Sequence, residues 1–445
     1  MKQRLMAAAS VLVFLVSATG GVVPASAQPD VTPEVTQQGQ PQYGAPGAKN
    51  QRITSPEQLA QLRSADKLAA LTPEQRKSKA LEKRYIYRAD GAKYGGEALA
   101  AASMDVVTFD ECKAKYFSGY REEYWHKNRY SLCRVESLSV VYYQPLGNRV
   151  GQTNFTIVMI GNSRPGQRGI DFKVHMIYEG FSGTTFPNEV FLSFSAYCYF
   201  TEPDRRSTCT QGAVRKTVAQ WMTPGVNEGT VALDTTTTGV PATDKYRSEN
   251  RGQFEYGPEY VVDGPYGGNR LDLPPNFFRC DEATYVFGSK CVFDHVTSNL
   301  HLDNSDNEIN QSTQLIRDAQ TDINGKTYPG NSPRNAPGTV TNGPLYRLFK
   351  DYDTNNKIVG SRKKVGRACK RYTTRAQYPI SGKQCDEYPY ATTYQNSSFW
   401  PTGQGPWAVR VIDATHNGKA GNKYGAWLGD DHILDGDPFF VTIVN

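Results

Sequence analysis

The sequence predicts a mixed fold, with an N-terminal antiparallel β-sandwich-like domain followed by a small α+β domain. Two patterns predict this order. From about 106 to 294, short runs of alternating apolar and polar residues are rich in β-branched and aromatic side chains, and Gly, Asn and Pro separate the runs. The last hundred or so residues instead combine a helical pattern with isolated strands. At 445 residues, the chain has room for two domains.

The first 27 residues have the features of a signal peptide. Lys2 and Arg4 precede an apolar run from Met6 to Val16, and the small residues Ala25 and Ala27 provide a cleavage site. The apolar run is too short to cross a bilayer comfortably, and no later run is long enough. We therefore predict a removed signal peptide at 1–27, a secreted, extracellular protein and no membrane span.

Residues 28–104 are predicted to form a flexible leader that carries short helices. The first part, 28–54, is rich in Pro, Gln, Gly and Thr and has almost no apolar content. Ser55 and Pro56 then match a helix N-cap and a first helical residue, and leucines follow at roughly helical spacing. The many charges and few large apolar side chains indicate a surface arm and not a core.

The β-rich domain is predicted to span 105–320. Phe155, Ile157 and Met159 recur at every second position, which is typical of a strand with one face in the core. Disulfide-pinned antiparallel sheets packed face to face are the expected arrangement. A cell-wall or carbohydrate ligand for this domain is the alternative to a purely structural role. The predicted strands are Ser137–Tyr143, Thr153–Ile160, Ile170–Tyr178 and Glu189–Phe200.

Eight cysteines accompany the predicted signal peptide. An even number in a secreted chain favours disulfide bonds, and pairing between sequential neighbours is the simplest of the many arrangements. A zinc site is the alternative, but the sequence has no C-x-x-C pair and its histidines are scattered. The cysteines are Cys112, Cys133, Cys198, Cys209, Cys280, Cys291, Cys369 and Cys385.

A connector rich in Gly, Pro and Asn, at 321–343, is predicted to separate the β-rich domain from an α+β domain at 344–445. A basic helix is expected around Arg362–Arg371, and the glycines of His416–Gly421 indicate a tight polar loop. The other expected pieces are an apolar segment at Leu345–Phe349 and strands at Trp407–Ile412 and Phe439–Val444.

Charge is distributed unevenly in the α+β domain, although the whole chain carries only +6. From Leu345 to Lys383, eleven Lys and Arg oppose two Asp, whereas from Asp386 to the end seven Asp and Glu oppose three Lys and Arg. An enzyme that holds a polyanion and a divalent cation needs both signs in one domain. Two solvated faces of opposite charge are an equally good interpretation of this pattern.

Common hydrolase signatures are absent from the sequence, which has no G-x-S-x-G elbow, no H-E-x-x-H helix and no phosphate-binding glycine loop. Of the common hydrolytic mechanisms, this leaves one that uses carboxylates. The adjacent residues Asp386 and Glu387 are the candidate catalytic pair. Pro389 follows the pair, and a disulfide bond between Cys369 and Cys385 would hold the pair against the basic helix. An ordinary solvated acidic pair is the alternative.

Three blocks in the last hundred or so residues resemble the successive motifs of the NucA/NucB family of secreted deoxyribonucleases. The first runs from Cys385 through Asp386, Glu387, Tyr388, Pro389, Tyr390 and Ala391 to Thr393, the second is Asn417–Gly421 with Gly425, and the third is Leu434–Val441. The resemblance implies a small α+β nuclease domain and a metal-dependent endonuclease that cuts DNA without sequence specificity. It implies nothing about residues 28–340.

The chain departs from the family pattern at two places. Compact members tend to have an acidic residue two positions before the Asp-Glu pair, where this chain has Gln384, and the loop Gln395–Pro406 also differs. The resemblance also implies a further catalytic acid. Asp413, Asp430 and Asp431 are the candidates.

Phosphodiester hydrolysis needs a cation that neutralises charge on the phosphate and lowers the pKa of the attacking water, and oxygen ligands favour Mg²⁺ or Mn²⁺. With the resemblance, this chemistry predicts Asp386 as a metal ligand and Glu387 as a second ligand or general base. Neighbouring side chains of a strand point to opposite faces. If this stretch is extended, only one of the two carboxylates can enter the site, and Asp386 is the first choice.

Two residues of the second block are further candidates for the catalytic site. Asn417 is expected to orient the attacking water or a phosphate oxygen, and stabilisation of a loop is the alternative. His416 is a candidate general acid or base, and a solvated loop histidine is the alternative.

DNA is the predicted partner, held through its phosphate backbone. Cations on two faces of the basic helix would contact phosphates without reading the base sequence, and we expect a monomer. The competing hypothesis is a secreted binding or adhesion protein that uses the β-rich domain, with an inactive nuclease-like scaffold at its C-terminal end. The predicted DNA-contacting residues are Arg362, Lys363, Lys364, Arg367, Lys370 and Arg371.

Overall fold

The computed structural model describes residues 105–120, 124–144, 147–184, 186, 189–201, 206–264, 267–321, 335–401 and 404–444, together with the backbone of three short strands near the N-terminus. The predicted signal peptide, the predicted helices of the leader and most of the predicted connector lie outside the described residues. No helix in the described part of the chain is long and apolar enough to cross a membrane.

The described residues form twenty strands and five α-helices. The strands are β1 (Thr32–Gln37), β2 (Gln51–Ile53), β3 (Tyr87–Arg88), β4 (Trp125–Asn128), β5 (Ser131–Tyr143), β6 (Arg149–Ser163), β7 (Gly169–Gly183), β8 (Phe191–Phe200), β9 (Arg206–Cys209), β10 (Gly212–Thr217), β11 (Glu228–Thr238), β12 (Gly252–Gly264), β13 (Gly267–Asp272), β14 (Asn276–Cys280), β15 (Cys291–Val292), β16 (Val296–Asp303), β17 (Leu345–Tyr346), β18 (Lys383–Tyr388), β19 (Ala408–Asp413) and β20 (Pro438–Val444). The helices are α1 (Phe109–Phe117), α2 (Val218–Met222), α3 (Asn310–Gln320), α4 (Lys357–Tyr372) and α5 (Ala414–Asp430).

The N-terminal part folds as two antiparallel sheets that share one core. One sheet has the order β1-β5-β6-β7-β11-β9, with β4 on β5, and the other has the order β10-β8-β12-β13-β2, with β14 on β12 and β15 on β14. Phe155, Ile157 and Met159 of β6 are buried in one cluster with Phe194 of β8 and Tyr256 of β12. The sandwich-like fold is therefore as predicted, and the four predicted strands fall on β5, β6, β7 and β8.

Short strands of the leader join the two sandwich sheets and the C-terminal sheet. β1 pairs antiparallel with β5, from Thr32 opposite Tyr143 to Gln37 opposite Leu138. β2 pairs antiparallel with β13, and β3 lies parallel to β16. The sequence of the leader predicts flexibility because it lacks apolar residues, but an edge strand needs only the unpaired backbone groups of its neighbour.

The C-terminal part is α+β, as predicted. Its four-stranded sheet has the order β17-β20-β16-β3, and β18 and β19 form a separate antiparallel pair. α4 contains the predicted basic helix, and β19 and β20 coincide with the predicted strands.

Helix α5 lies where the sequence predicts the tight polar loop His416–Gly421, so that prediction is wrong. The helix continues through its glycines because apolar residues recur at helical spacing and bury one face in the core. This burial outweighs a cost of roughly 1 kcal/mol for each helical glycine. The buried apolar residues are Ala420, Tyr424, Trp427 and Leu428.

β16 and α3 contribute to the C-terminal core although they precede the predicted connector at 321–343. Leu300 of β16 and Leu315 of α3 are buried in one cluster with Trp427 and Phe439. Pairing explains the position of β16, which lies parallel to β20 from Ser298 opposite Phe439 to Asp303 opposite Val444. The predicted domain boundaries stay a prediction, but this core begins at β16.

The cysteines pair as sequential neighbours, which confirms the simplest predicted arrangement. Within the described residues no cysteine is free. The four disulfide bonds have Cα–Cα distances of 5.8, 5.8, 4.0 and 6.1 Å in chain order. They are Cys112–Cys133, Cys198–Cys209, Cys280–Cys291 and Cys369–Cys385.

Candidate active site

The disulfide bond between Cys369 and Cys385 fastens the basic helix α4 to strand β18, which carries the carboxylate pair. Val365 of α4 and Val409 of β19 are buried beside this bond. The predicted link between helix and carboxylates is therefore present in the structure. It holds Asp386 and Glu387 at a constant distance from the cations of α4.

Side chains alternate across β18. Cys385 faces α4, whereas on the opposite face Tyr388 contacts Gln320 of α3, with 2.8 Å between the Tyr388 Oη and the Gln320 Nε2. By this alternation, Glu387 shares the α4 face with Cys385, and Asp386 shares the α3 face with Tyr388. The predicted divergence of the two carboxylates is therefore present. Both residues nevertheless contribute to the wall of one cleft.

Burial perturbs both carboxyl groups in the same direction. It raises the pKa of Asp386 to about 6, against the opposing effect of a hydrogen bond from the Glu387 amide and the charge of Arg410. Burial also raises the pKa of Glu387 to about 8, and the neighbouring Asp386 charge adds to this rise while Arg362 opposes it. Among the described residues, no Lys, Arg or His nitrogen forms an ion pair with either group. The negative charges of Asp386 and Glu387 are therefore not balanced by an ion pair.

The cleft has a volume of about 900 Å³. Arg362 of α4 lines one wall, Asp386 and Glu387 line another, and Asn417 and Gly421 of α5 line a third. Every residue that lines it lies between 347 and 428. The cleft thus brings together a cation, two carboxylates and an amide from three elements.

Asn417 contacts β18 through Gln384, which stands where compact family members tend to have an acidic residue. Its Nδ2 donates a hydrogen bond to the Gln384 Oε1, at 2.9 Å. An acidic residue at 384 would accept the same bond, so Gln384 preserves the contact between α5 and β18. It does not add a negative charge to the cleft.

His416 lies one residue before Asn417 and is not among the residues that line the cleft. Its Nδ1 is buried and has no hydrogen-bond partner within the described residues. The three candidates for a further acid also lie outside the cleft lining. Asp413 is instead bonded to Lys383 and Gln311.

The predicted DNA-contacting cations divide into three groups. Arg362 lines the cleft. Lys364 is occupied, because its Nζ donates to the carbonyl oxygens of Ser397, at 2.8 Å, and Pro401, at 3.1 Å. The remaining four are exposed and form no ion pair within the described residues. They are Lys363, Arg367, Lys370 and Arg371.

The sequence does not reveal how the third family block is held. Asp435 is buried and accepts hydrogen bonds from the Lys245 Nζ at 2.7 Å and the Tyr246 Oη at 2.9 Å, both from the sandwich, and from the Phe349 amide at 2.8 Å. Gly436, at a φ of 82°, makes the turn between Asp435 and Asp437. Two of the three partners of Asp435, Lys245 and Tyr246, therefore lie outside the C-terminal domain.

Arg347 and a pair of tyrosines are further parts of the cleft, and of the three only Tyr390 belongs to the motif blocks of the sequence. The Arg347 side chain is buried and donates to the carbonyl oxygen of Ile433. The rings of Tyr390 and Tyr424 stack at a centroid distance of 3.9 Å and an interplanar angle of 13°. Arg347 is simply one of many basic residues in its segment, and the tyrosines are 34 positions apart, so no local pattern identifies them.

The carboxylate pair fits one class of metal ion. Within the part of the chain that the structure describes, no group of three or more His, Cys, Asp or Glu side chains is arranged to hold a metal. Mg²⁺ does not require such a group, because it is commonly bound through one or two carboxylates, with waters and substrate phosphates as the other ligands. The carboxylate oxygens of Asp386 and Glu387 are donors of this kind, and a cation between them would favour the charged forms that burial disfavours.

Comparison with known families agrees with this geometry. Residues 339–442, about a quarter of the chain, match the family model described as deoxyribonuclease NucA/NucB. No curated protein and no solved structure matches the chain significantly. The matched segment includes every residue that lines the cleft. The C-terminal segment of this chain is therefore a domain of the NucA/NucB deoxyribonuclease family.

Proposed function

We propose that the protein is a secreted, metal-dependent endodeoxyribonuclease that hydrolyses phosphodiester bonds of extracellular DNA without sequence preference. The observation that carries the proposal is the cleft in the family-matched segment, where Asp386 and Glu387 lie with Arg362 and Asn417. A single cleft with carboxylates, a cation and an amide has the groups that phosphodiester hydrolysis requires.

Each group has a role that follows from its chemistry. Asp386 would hold the cation, and Glu387 would be either a second ligand or the general base that accepts a proton from water. A bound Mg²⁺ or Mn²⁺ would neutralise charge on the phosphate and make water a better nucleophile. Arg362 positions the phosphate, and Asn417 orients a phosphate oxygen. His416 is the second candidate for proton transfer.

The exposed cations of α4 extend this site along a DNA strand. Arg362 lies in the cleft, and Lys363, Arg367, Lys370 and Arg371 are exposed on the same helix. Contacts of this type bind phosphates and not bases, which is why we propose no sequence preference.

Secretion rests on the N-terminal segment and the cysteines. Residues 1–27 have the pattern of a signal peptide, and all four disulfide bonds would persist in an oxidising environment. An extracellular monomer that acts on free DNA is the simplest assignment.

Plasmid degradation by purified 28–445 tests the proposal. With Mg²⁺ or Mn²⁺ the parent should degrade the plasmid, and a chelator should stop it. Asp386→Ala and Glu387→Gln should each lower the rate by at least about a hundredfold. Asp351→Asn is the matched control, because Asp351 is an exposed acid outside the cleft lining. Folded, disulfide-bonded protein that cuts no DNA with any metal would favour the binding-protein hypothesis and a role for the sandwich.

A further inference from the structure

Arg410 lies directly across the strand pair from Asp386 and yet forms no ion pair with it in the described part of the chain. The two residues are partners in the antiparallel register of β18 and β19, so their side chains extend on the same face. Opposite charges at such positions ordinarily attract each other into contact. The guanidinium of Arg410 is instead directed to helix α3, on which Asp318 accepts its hydrogen bond.

Asp318 is well placed to hold Arg410. The Arg410 Nη2 lies 2.7 Å from the Asp318 Oδ2, and the side chains are 22% and 7% exposed. Because the Asp318 carboxylate is withdrawn from water, its charge needs a cation in contact with it, and breaking a pair of this kind is costly. Arg410 therefore stays with α3, although Asp386 is opposite it in the strand pair.

Helix α3 is fixed against both strands, which gives Asp318 a constant position. Near the start of the helix, the Gln311 side chain donates to the Asp413 carboxylate of β19 at 2.6 Å and accepts from the Asp413 amide at 2.9 Å. At the end of the helix, the Gln320 Nε2 donates to the Tyr388 Oη of β18 at 2.8 Å. Asp318 lies between these two attachments.

The separation of Arg410 from Asp386 matters for the chemistry of the site. A guanidinium in contact with a carboxylate commonly donates to both of its oxygens, and this would occupy the atoms that a divalent cation needs. In the structure, Asp386 accepts a hydrogen bond from the Glu387 amide at 2.8 Å and lines the cleft, whereas Arg410 does not line it. The Asp386 carboxylate is thus free of the one cation that is opposite it in the strand pair.

We propose that Asp318 is a positioning residue of the nuclease site, which keeps the Arg410 guanidinium off the Asp386 carboxylate and so leaves this carboxylate open to a divalent cation. The inference rests on the proposed function. It assigns part of the site to a helix outside residues 339–442, the segment that matches the nuclease family. Asp318 does not line the cleft and acts through Arg410 alone.

Binding of Mn²⁺ to purified 28–445 without DNA, measured by electron paramagnetic resonance of the free ion, tests this role separately from cleavage. Binding that is lost in Asp386→Ala identifies the site. Asp318→Asn should weaken this binding by about tenfold, because the released Arg410 contacts the Asp386 carboxylate. Cleavage by Asp318→Asn should fall at limiting metal and recover at saturating metal.

A second substitution separates competition by Arg410 from simple damage to the fold. The double variant Asp318→Asn/Arg410→Gln should bind Mn²⁺ within about threefold of the parent, because the competing cation is gone. Asp318→Glu keeps the charge and should also retain the parent affinity. Glu308→Gln is the matched control, because it removes an exposed acid paired with Lys419 of α5, and it should change the affinity by less than about twofold.

Two results would overturn the proposal. Weak Mn²⁺ binding by the double variant and by Asp318→Glu would make Asp318 a merely structural residue, and this comparison decides the question even if Asp318→Asn does not fold. Parent-like binding by Asp318→Asn would show that Arg410 does not compete.

The same measurements keep the inference apart from the proposed function. If the parent cuts plasmid but binds Mn²⁺ no better than Asp386→Ala, the inference fails and the proposed function stands. If the parent neither binds Mn²⁺ nor cuts DNA, both fail.

Discussion

Arg129 of the sandwich and Asp437 of the turn before β20 form a buried ion pair, with 3.0 Å between the Arg129 Nη2 and the Asp437 Oδ2. Their side chains are 1% and 9% exposed. Arg279, also of the sandwich, lies on the other oxygen at 2.6 Å. Burial favours a higher pKa for Asp437, but the Arg279 and Arg129 guanidiniums hold the pKa well below its ordinary value. The last block of the nuclease domain is thus paired with charges from the other domain.

Removing the Asp437 carboxylate should destabilise the whole protein. Asp437→Ala removes the carboxylate that two buried guanidiniums share. The loss of one member of a buried pair typically costs 3–5 kcal/mol, so we expect a decrease of about 4 kcal/mol in the free energy of unfolding. Urea denaturation measures it. The control is Asp351→Asn, which breaks an exposed pair with Lys350 and should cost less than about 1 kcal/mol. Similar effects for both variants would contradict the prediction.

The predicted α+β domain should not fold when it is expressed alone as 344–445. This fragment lacks β16 and α3, and with them Leu300, Leu302, Leu315 and Ile316 of the core. Each buried leucine or isoleucine contributes roughly 1.5–3 kcal/mol, so the four together approach the whole stability of a small domain. Circular dichroism should show no cooperative thermal transition for the fragment.

A substitution in the full chain tests the same core without truncation. Leu315→Ala should destabilise the protein by about 2–5 kcal/mol, because Leu315 is fully buried in the C-terminal core. A cooperative transition of the fragment 344–445, together with a small effect of Leu315→Ala, would place the core boundary after α3.

Filling the cleft should stop catalysis without unfolding the protein. Gly421 of α5 lines the cleft, and a Cβ there would meet no atom within 4 Å, so Gly421→Leu should extend into the space that DNA needs. Helix propensity improves by roughly 1 kcal/mol on replacing Gly, so the melting temperature should stay the same or rise while cleavage falls by at least about tenfold. Gly418→Leu is the matched control, because Gly418 has the same open surroundings on the same helix but does not line the cleft. Equal activity of the two variants would show that DNA does not approach α5.

Acid should weaken the contact between the two domains. The His432 Nε2 lies 3.0 Å from both carboxylate oxygens of the buried Asp281. Burial favours a higher pKa for Asp281, but His432 and Arg279 outweigh it and lower the pKa to about 2. A lowered pKa means that this carboxylate stabilises the folded state above pH 4 and ceases to do so as the pH falls from about 4 to about 2.

The stability difference between the parent and Asp281→Asn measures this contribution. It should be about 2 kcal/mol larger at pH 6 than at pH 2, since one pKa unit corresponds to 1.36 kcal/mol. Denaturant melts at several pH values give the difference. A constant difference over this range would show that Asp281 titrates normally.

Local patterns in the sequence were sufficient for much of the fold. The alternation of Phe155, Ile157 and Met159 predicts a core strand, because a strand with one buried face repeats every two residues. The pairing of Cys369 with Cys385 follows from their proximity in the chain, and the spacing of cations predicts α4. The carboxylates Asp386 and Glu387 and the adjacent Cys385 could also be identified, because these residues are consecutive.

Long-range contacts account for the rest. The glycines near His416 indicate a loop, and the helix forms because Tyr424 and Trp427 are buried against strands that no local pattern brings near. Asp413 likewise does not line the cleft, and its carboxylate instead accepts a hydrogen bond from Gln311, 102 positions away.

The period of the strands, the pairing of neighbouring cysteines and the order of the nuclease motifs are properties of short segments, and the sequence contains them in full. The tertiary structure decides that β16 and α3 belong to the nuclease core, that Asp386 and Glu387 line the same cleft, and that Asp437 pairs with Arg129. The last two residues are 308 positions apart. Their pairing exists because burial at the contact between domains removes both charges from water, and an unpaired charge there would be too costly to keep.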